Sequence, residues 1–111
     1  MKFIMSTNIA VQTTQPNEAV EFYTNVLGFK NRTDEPDFFG IDANSLRMFI
    51  QKDEQVSGLV MELFVEDLEQ AKEYLLNNGC KIIRWEGIGR DCYVEDPFGL
   101  RFNIWQIRNQ G

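Results

Sequence analysis

The apolar positions of this chain change period several times, and each change predicts an element. Residues 3–13 alternate, with Ile9 and Val11 on one face, and predict a strand. From Gln15 the period becomes helical. Pro16 suits a first helical position, and Glu18 stands three residues after Gln15 as in a capping box. Ala19, Phe22, Tyr23, Val26 and Leu27 then share a face, and Gly28 ends the helix. Three short strand-like runs follow at about 29–33, 37–42 and 45–52, parted by Asp34-Glu35-Pro36 and by Ala43-Asn44.

The pattern then begins again. Residues 58–65 predict a strand. Asp67 caps a helix whose Leu68, Ala71, Tyr74 and Leu75 share a face, and Gly79 stops it. Three more strands are predicted at about 80–86, 89–95 and 100–108, with turns at Gly87 and at Asp96-Pro97-Phe98-Gly99. The chain therefore reads βαβββ twice. The residues carry the repeat weakly but in order. At an offset of 51, Glu18, Tyr23, Gly28 and Lys30 return as Glu69, Tyr74, Gly79 and Lys81. At an offset of 54, Leu46-Arg47-Met48-Phe49-Ile50 returns as Leu100-Arg101-Phe102-Asn103-Ile104.

Alternation sorts the first and last strand of each half into two faces. One reads Ile9, Val11; Met48, Ile50; Met61, Leu63, Val65; Phe102, Ile104. It is wholly apolar and is expected under the helices. The other reads Asn8, Ala10, Gln12; Arg47, Phe49, Gln51; Val60, Glu62, Phe64; Arg101, Asn103, Trp105. Large rings beside amides and charges suit the wall of a small-molecule cleft. A solvated sheet surface and a protein interface are the alternatives.

Composition narrows the function classes. At 111 residues and 43% hydrophobic, the chain is long enough for one domain over 1–111, with module one at about 3–53 and module two at about 57–108. A net charge of −6 disfavours nucleic acid and anionic membranes as partners. The opening Met1–Ser6 stretch is too short for a signal peptide or a membrane span, so a cytoplasmic location is expected. Cys80 and Cys92 are expected to be reduced. With Cys92 opposite about Ile83, Cys80 lies ~10 Å along its strand, beyond the ~7 Å reach of a disulfide. There is no histidine, and hence no imidazole chemistry.

Two segments resemble a known superfamily. Ala19-Val20-Glu21-Phe22-Tyr23-Thr24-Asn25-Val26-Leu27-Gly28-Phe29 is similar to the first-helix signature of the vicinal oxygen chelate proteins. Asp96-Pro97-Phe98-Gly99-Leu100-Arg101-Phe102 is similar to their turn before the last strand. That group includes glyoxalase I, extradiol dioxygenases, and fosfomycin- and bleomycin-resistance proteins. The resemblance spans about residues 5–107. It implies an α+β fold in which two βαβββ modules form curled mixed sheets around a cleft, with helices on the outer face. It also implies four cleft corners that hold metal in the family's enzymes, and places them at Asn8, Phe49, Val60 and Asn103. Phe49 and Val60 cannot coordinate, and asparagine is a weak neutral donor, so no metal and no cofactor are expected.

The pattern is most similar to the metal-free bleomycin-resistance branch. The expectation is a non-catalytic protein that sequesters a planar or cationic small organic compound. Asn8, Gln12, Arg47, Phe49, Gln51, Val60, Phe64, Tyr93, Arg101, Asn103 and Trp105 would contact it. The alternative is a metal-independent lyase or isomerase acting on a carbonyl compound, with Glu62 as general base. Against this stands an ion pair of Glu62 with Arg47 or Arg101, and the arginines themselves would suit a carboxylate or phosphate. Trp85 is expected in the core. A homodimer is implied by the resemblance.

Overall fold

The computed structural model describes residues 1–32 and 38–107. The break expected at Asp34-Glu35-Pro36 lies outside the described residues, as do the strand ends expected at Thr33, Asp37 and Arg108. The chain forms two compact units: Thr7–Val60, and Met1–Ser6 together with the residues from Met61 on.

In the first unit run β1 (Ile4–Thr13, from Thr7), α1 (Pro16–Glu21), β2 (Lys30–Asn31), β3 (Phe38–Asp42) and β4 (Arg47–Lys52), with strand order β2-β3-β4-β1. β4 pairs parallel with β1 and antiparallel with β3. The Ala43-Asn44 turn forms as expected. Asn44 takes a positive φ of 75°, which asparagine tolerates, and its N–H donates to Asp42 Oδ1 at 2.9 Å. Val20, Ile41, Met48 and Ile50 form the core, with Ile9, Val11, Ala19 and Tyr23 packed against it. The apolar face inferred from alternation is the face under the helix.

The helix itself departs from expectation. Pro16 is at its start, but Gln15 makes no side-chain cap. After Glu21 the backbone opens into a π-helical turn, Phe22–Val26, closed by Leu27 N–H donating to Phe22 O at 3.2 Å. The Thr24 hydroxyl donates to Val20 O at 2.8 Å within it. The wider turn rotates the later residues out of a 3.6-residue stripe. Val20, in α1, is buried, while Phe22, Val26 and Leu27 of the expected core face are exposed.

The second unit repeats the plan with β5 (Gly58–Val65, from Met61), α2 (Leu68–Asn77), β6 (Lys81–Trp85), β7 (Cys92–Glu95) and β8 (Arg101–Gln106), in the order β5-β8-β7-β6. β8 pairs parallel with β5 and antiparallel with β7. α2 starts where predicted, with Asp67 Oδ1 accepting the Gln70 N–H at 2.9 Å. It ends at Gly79, whose φ of +92° suits glycine. The Asp96 turn is held by Asp96 Oδ1, which accepts the N–H groups of Phe98 and Leu100, each at 2.9 Å. Val65, Leu68, Ala71, Cys92, Val94 and Ile104 make the core, with Trp85 packed against it as expected.

The register of β6 corrects one expectation. Cys92 lies opposite Trp85, not Ile83, because the pairing shifts between Ile82 and Arg84. The extra residue, Ile83, turns Trp85 toward the core and Arg84 to the face of Tyr93. Both cysteines are free thiols, as expected. The α+β class and the doubled βαβββ order hold. Among the described residues no helix is long and apolar enough to cross a membrane.

Candidate functional site

Strand register decides which polar and aromatic side chains stand together, because partners in a ladder share a face. In the first unit, β1 and β4 pair Asn8 with Arg47, Ala10 with Phe49 and Gln12 with Gln51. The set expected from alternation is thus brought together within this unit. Gln12 is 2% exposed, and its amide Nε2 donates to Gln51 Oε1 at 2.9 Å. β3 adds Gly40 opposite Phe49 and Asp42 opposite Arg47. Arg32 lies 3.7 Å from Asp42. A cavity of 260 Å³ lies on this part of the sheet, lined by Arg32, Gly40, Ile41, Asp42, Arg47 and Phe49.

In the second unit, β5 and β8 pair Glu62 with Asn103 and Phe64 with Trp105. Phe64 and Trp105 lie side by side at the edge of a hollow of 710 Å³ that Gly89, Gln106 and Ile107 complete. Phe64 also borders a second hollow of 400 Å³ beside Met1, Lys2, Ile4 and Gln70. β7 places Tyr93 opposite Asn103 and Glu95 opposite Arg101. Tyr93 is 2% exposed, with the Arg84 guanidinium 5.1 Å from its ring centre. Val60, which ends the first unit at the start of β5, is also buried.

The structure adds three features to the expected set. Glu62 is not the lone carboxylate on these faces: register adds Asp42 and Glu95. Arg101 pairs with Glu95, Nε to Oε1 at 3.6 Å. Arg32, which no strand pattern singled out, lines the first cavity. Gln106 was also passed over; its Oε1 accepts the Leu68 N–H at 2.9 Å and so fixes the start of α2 beside the aromatic pair.

The donor chemistry does not fit a divalent metal. Of the four corner positions, Phe49 and Val60 offer hydrocarbon. Asn8 and Asn103 are weak neutral amide donors, and Asn103 Oδ1 already accepts the Cys92 N–H at 3.0 Å. Among the described residues no three Cys, Asp or Glu side chains converge on a point where an ion could sit. Neither thiol is primed as a nucleophile. Burial pushes the Cys92 thiol above its ordinary pKa, and burial followed by the nearby Asp96 charge does the same to Cys80.

Solved structures share this fold at low identity. A hypothetical protein from Bacillus halodurans C-125 superposes with a TM-score of 0.65 at 13% identity, over 100% of this chain and 99% of its own. A glyoxalase/bleomycin resistance protein/dioxygenase superfamily member from Vibrio splendidus 12B01 gives 0.63 at 17%, over 95% and 98%. Homoprotocatechuate 2,3-dioxygenase from Brevibacterium fuscum, in complex with 3,4-dihydroxyphenylacetate, gives 0.62 at 21%, over 93% of this chain and 36% of that longer one. No curated protein matches in sequence. The glyoxalase-like domain profile matches residues 8–105, nearly the full repeat. The chain belongs to the glyoxalase-like family, within the vicinal oxygen chelate superfamily.

Proposed function

We propose that this protein is a metal-independent small-molecule-binding member of its family, which sequesters a planar or cationic organic compound. The observation that carries the reading is the Phe64–Trp105 pair across β5 and β8, beside a hollow of 710 Å³. Two rings on one rigid ladder form a stacking surface with little entropy left to lose. Glu62 and Asn103 lie on the same face, over the buried Tyr93, and supply polar contacts that orient the ligand. Titration of tryptophan fluorescence against planar neutral and cationic compounds tests this. Saturable quenching that disappears in Trp105→Phe is expected; none with any member of the panel would sink the proposal.

A second reading makes the protein an enzyme, with Glu62 moving a proton on a carbonyl compound. Its support is the register pairing of Glu62 with Asn103, which sets a carboxylate beside an amide on the aromatic face. Glu62→Gln separates the two: turnover would collapse in an enzyme, whereas a binder keeps its stacking. Homodimeric assembly is part of the same proposal, since Phe22, Val26 and Leu27 present apolar surface on the π-helical turn. A strict monomer in sedimentation would remove it.

A further inference from the structure

The cavity of the first unit differs from the aromatic hollow of the second in its charge. Among the described residues that line it, Arg32 and Arg47 are two cations and Asp42 one carboxylate, an excess of one positive charge in a chain whose net charge is −6. Asp42 is already claimed by Arg32 at 3.7 Å. Among the described residues, Arg47 pairs with no carboxylate. Its neighbours on the same face are Asn8 in β1 and Asp42 in β3.

The shape is as particular as the charge. Gly40 stands directly opposite Phe49 in the β3–β4 ladder. Any side chain at position 40 would project onto the face that Phe49 occupies, into the cavity that both residues line. Ile41 contributes to the lining as well. The cavity thus has an apolar wall and a planar cationic fork at its rim. The volume of 260 Å³ suits a fragment rather than a large ligand.

We infer that this cavity binds a small organic carboxylate, its apolar body against Phe49 over Gly40 and its carboxylate on Arg47, with Arg32 adding a second cation. The inference rests on the proposed use of these sheet faces for small molecules, and it gives the ligand group bound by the first unit a charge and a size. A guanidinium matches a carboxylate with two parallel donors, which an isolated cation or a neutral amide on the ligand does not exploit. Inorganic phosphate would satisfy the charge but leave the Phe49 wall unused.

Benzoate is the probe. Titrated into the isotopically labelled full chain, it is expected to shift the amide resonances of Gly40, Ile41 and Phe49 saturably, and more weakly as salt is raised. Arg47→Gln should weaken it roughly tenfold or more, the loss typical of a charge-assisted pair. Gly40→Val, a residue suited to a strand, should abolish it by filling the space. Lys81→Gln makes the same change of net charge at an exposed position of β6 and should change nothing. Equal binding of benzamide, or phosphate acting as strongly as benzoate on the same amides, would overturn the inference. So would silence at these amides while planar compounds still quench Trp105, which would leave the proposed function standing. Silence at both units would remove the two together.

Discussion

The side chain of Asn103 accepts the backbone N–H of Cys92 at 3.0 Å, so this amide completes the ladder between β7 and β8. Cys92 is fully buried, and no water can replace the bond. Asn103→Ala is expected to cost about 1–3 kcal/mol, the penalty of a stranded buried donor. Asn103→Asp keeps an acceptor and should lose less. Urea unfolding of the three proteins checks the order; an alanine variant as stable as the parent would contradict it.

The Asp67 cap gives a second, independent prediction. Its side chain satisfies the Gln70 N–H at 2.9 Å at the start of α2. Asp67→Ala should lower stability by about 1 kcal/mol, whereas Asp67→Ser should hold most of it. Thermal melts followed by far-ultraviolet circular dichroism distinguish them.

Core packing should respond more strongly than either. Ile104 is 1% exposed and packs among Val65, Leu68, Ala71 and Cys92. Ile104→Ala removes three carbons from that cluster and is expected to cost about 2–5 kcal/mol. Ile83, 39% exposed at the β6 bulge, should tolerate alanine with less than about 0.5 kcal/mol lost.

The thiols should be slow to alkylate. Burial raises the pKa of Cys92 first of all, and Cys80 moves the same way. A raised value means that the fold favours the neutral thiol, so the thiolate forms later than in an unfolded chain. Labelling at pH 8 should lag behind that of the urea-denatured protein, Cys92 more than Cys80. Stability should be flat with respect to these groups at neutral pH and fall once pH passes the ordinary thiol value, where the unfolded chain ionises first. Free-thiol rates for native Cys92 would contradict the burial.

Much of this arrangement was written in the alternation of the outer strands. Ile9, Val11, Met48 and Ile50 turn inward, and Asn8, Gln12, Arg47 and Phe49 face the other way, because a period of two is rigid along a regular strand. The Asp96 turn was equally plain, since aspartate, proline and glycine each have one use there. Three features were not legible. The π-helical turn depends on one carbonyl choosing a donor five residues on, and the apolar spacing of Phe22, Val26 and Leu27 fits a regular helix as well. The bulge at Ile83 sits in Lys81-Ile82-Ile83-Arg84-Trp85, where two adjacent isoleucines leave the phase undetermined. Asp42 and Glu95 lie on short inner strands whose faces only long-range register fixes, and Arg101 finds Glu95 through that same register.

Metal independence is part of the proposed function, and added metal tests it. A cation bound only by the folded chain stabilises it by RT ln(1 + [L]/Kd), so a site reveals itself once the ion concentration exceeds its Kd. The corner positions here are Asn8, Phe49, Val60 and Asn103, and the one amide with a described duty, Asn103, holds the Cys92 N–H. Zinc, manganese, nickel or iron(II) at about a hundred times the protein concentration should therefore leave Tm unchanged, where a site filled to a hundredfold over its Kd would add about 2.7 kcal/mol. Ligand quenching of Trp105 should likewise survive dialysis against a chelator. A cation-dependent rise in Tm that Asn8→Ala abolishes would show that the donor set had been misjudged, and that the stacking surface of Phe64 and Trp105 serves a metal-held ligand instead.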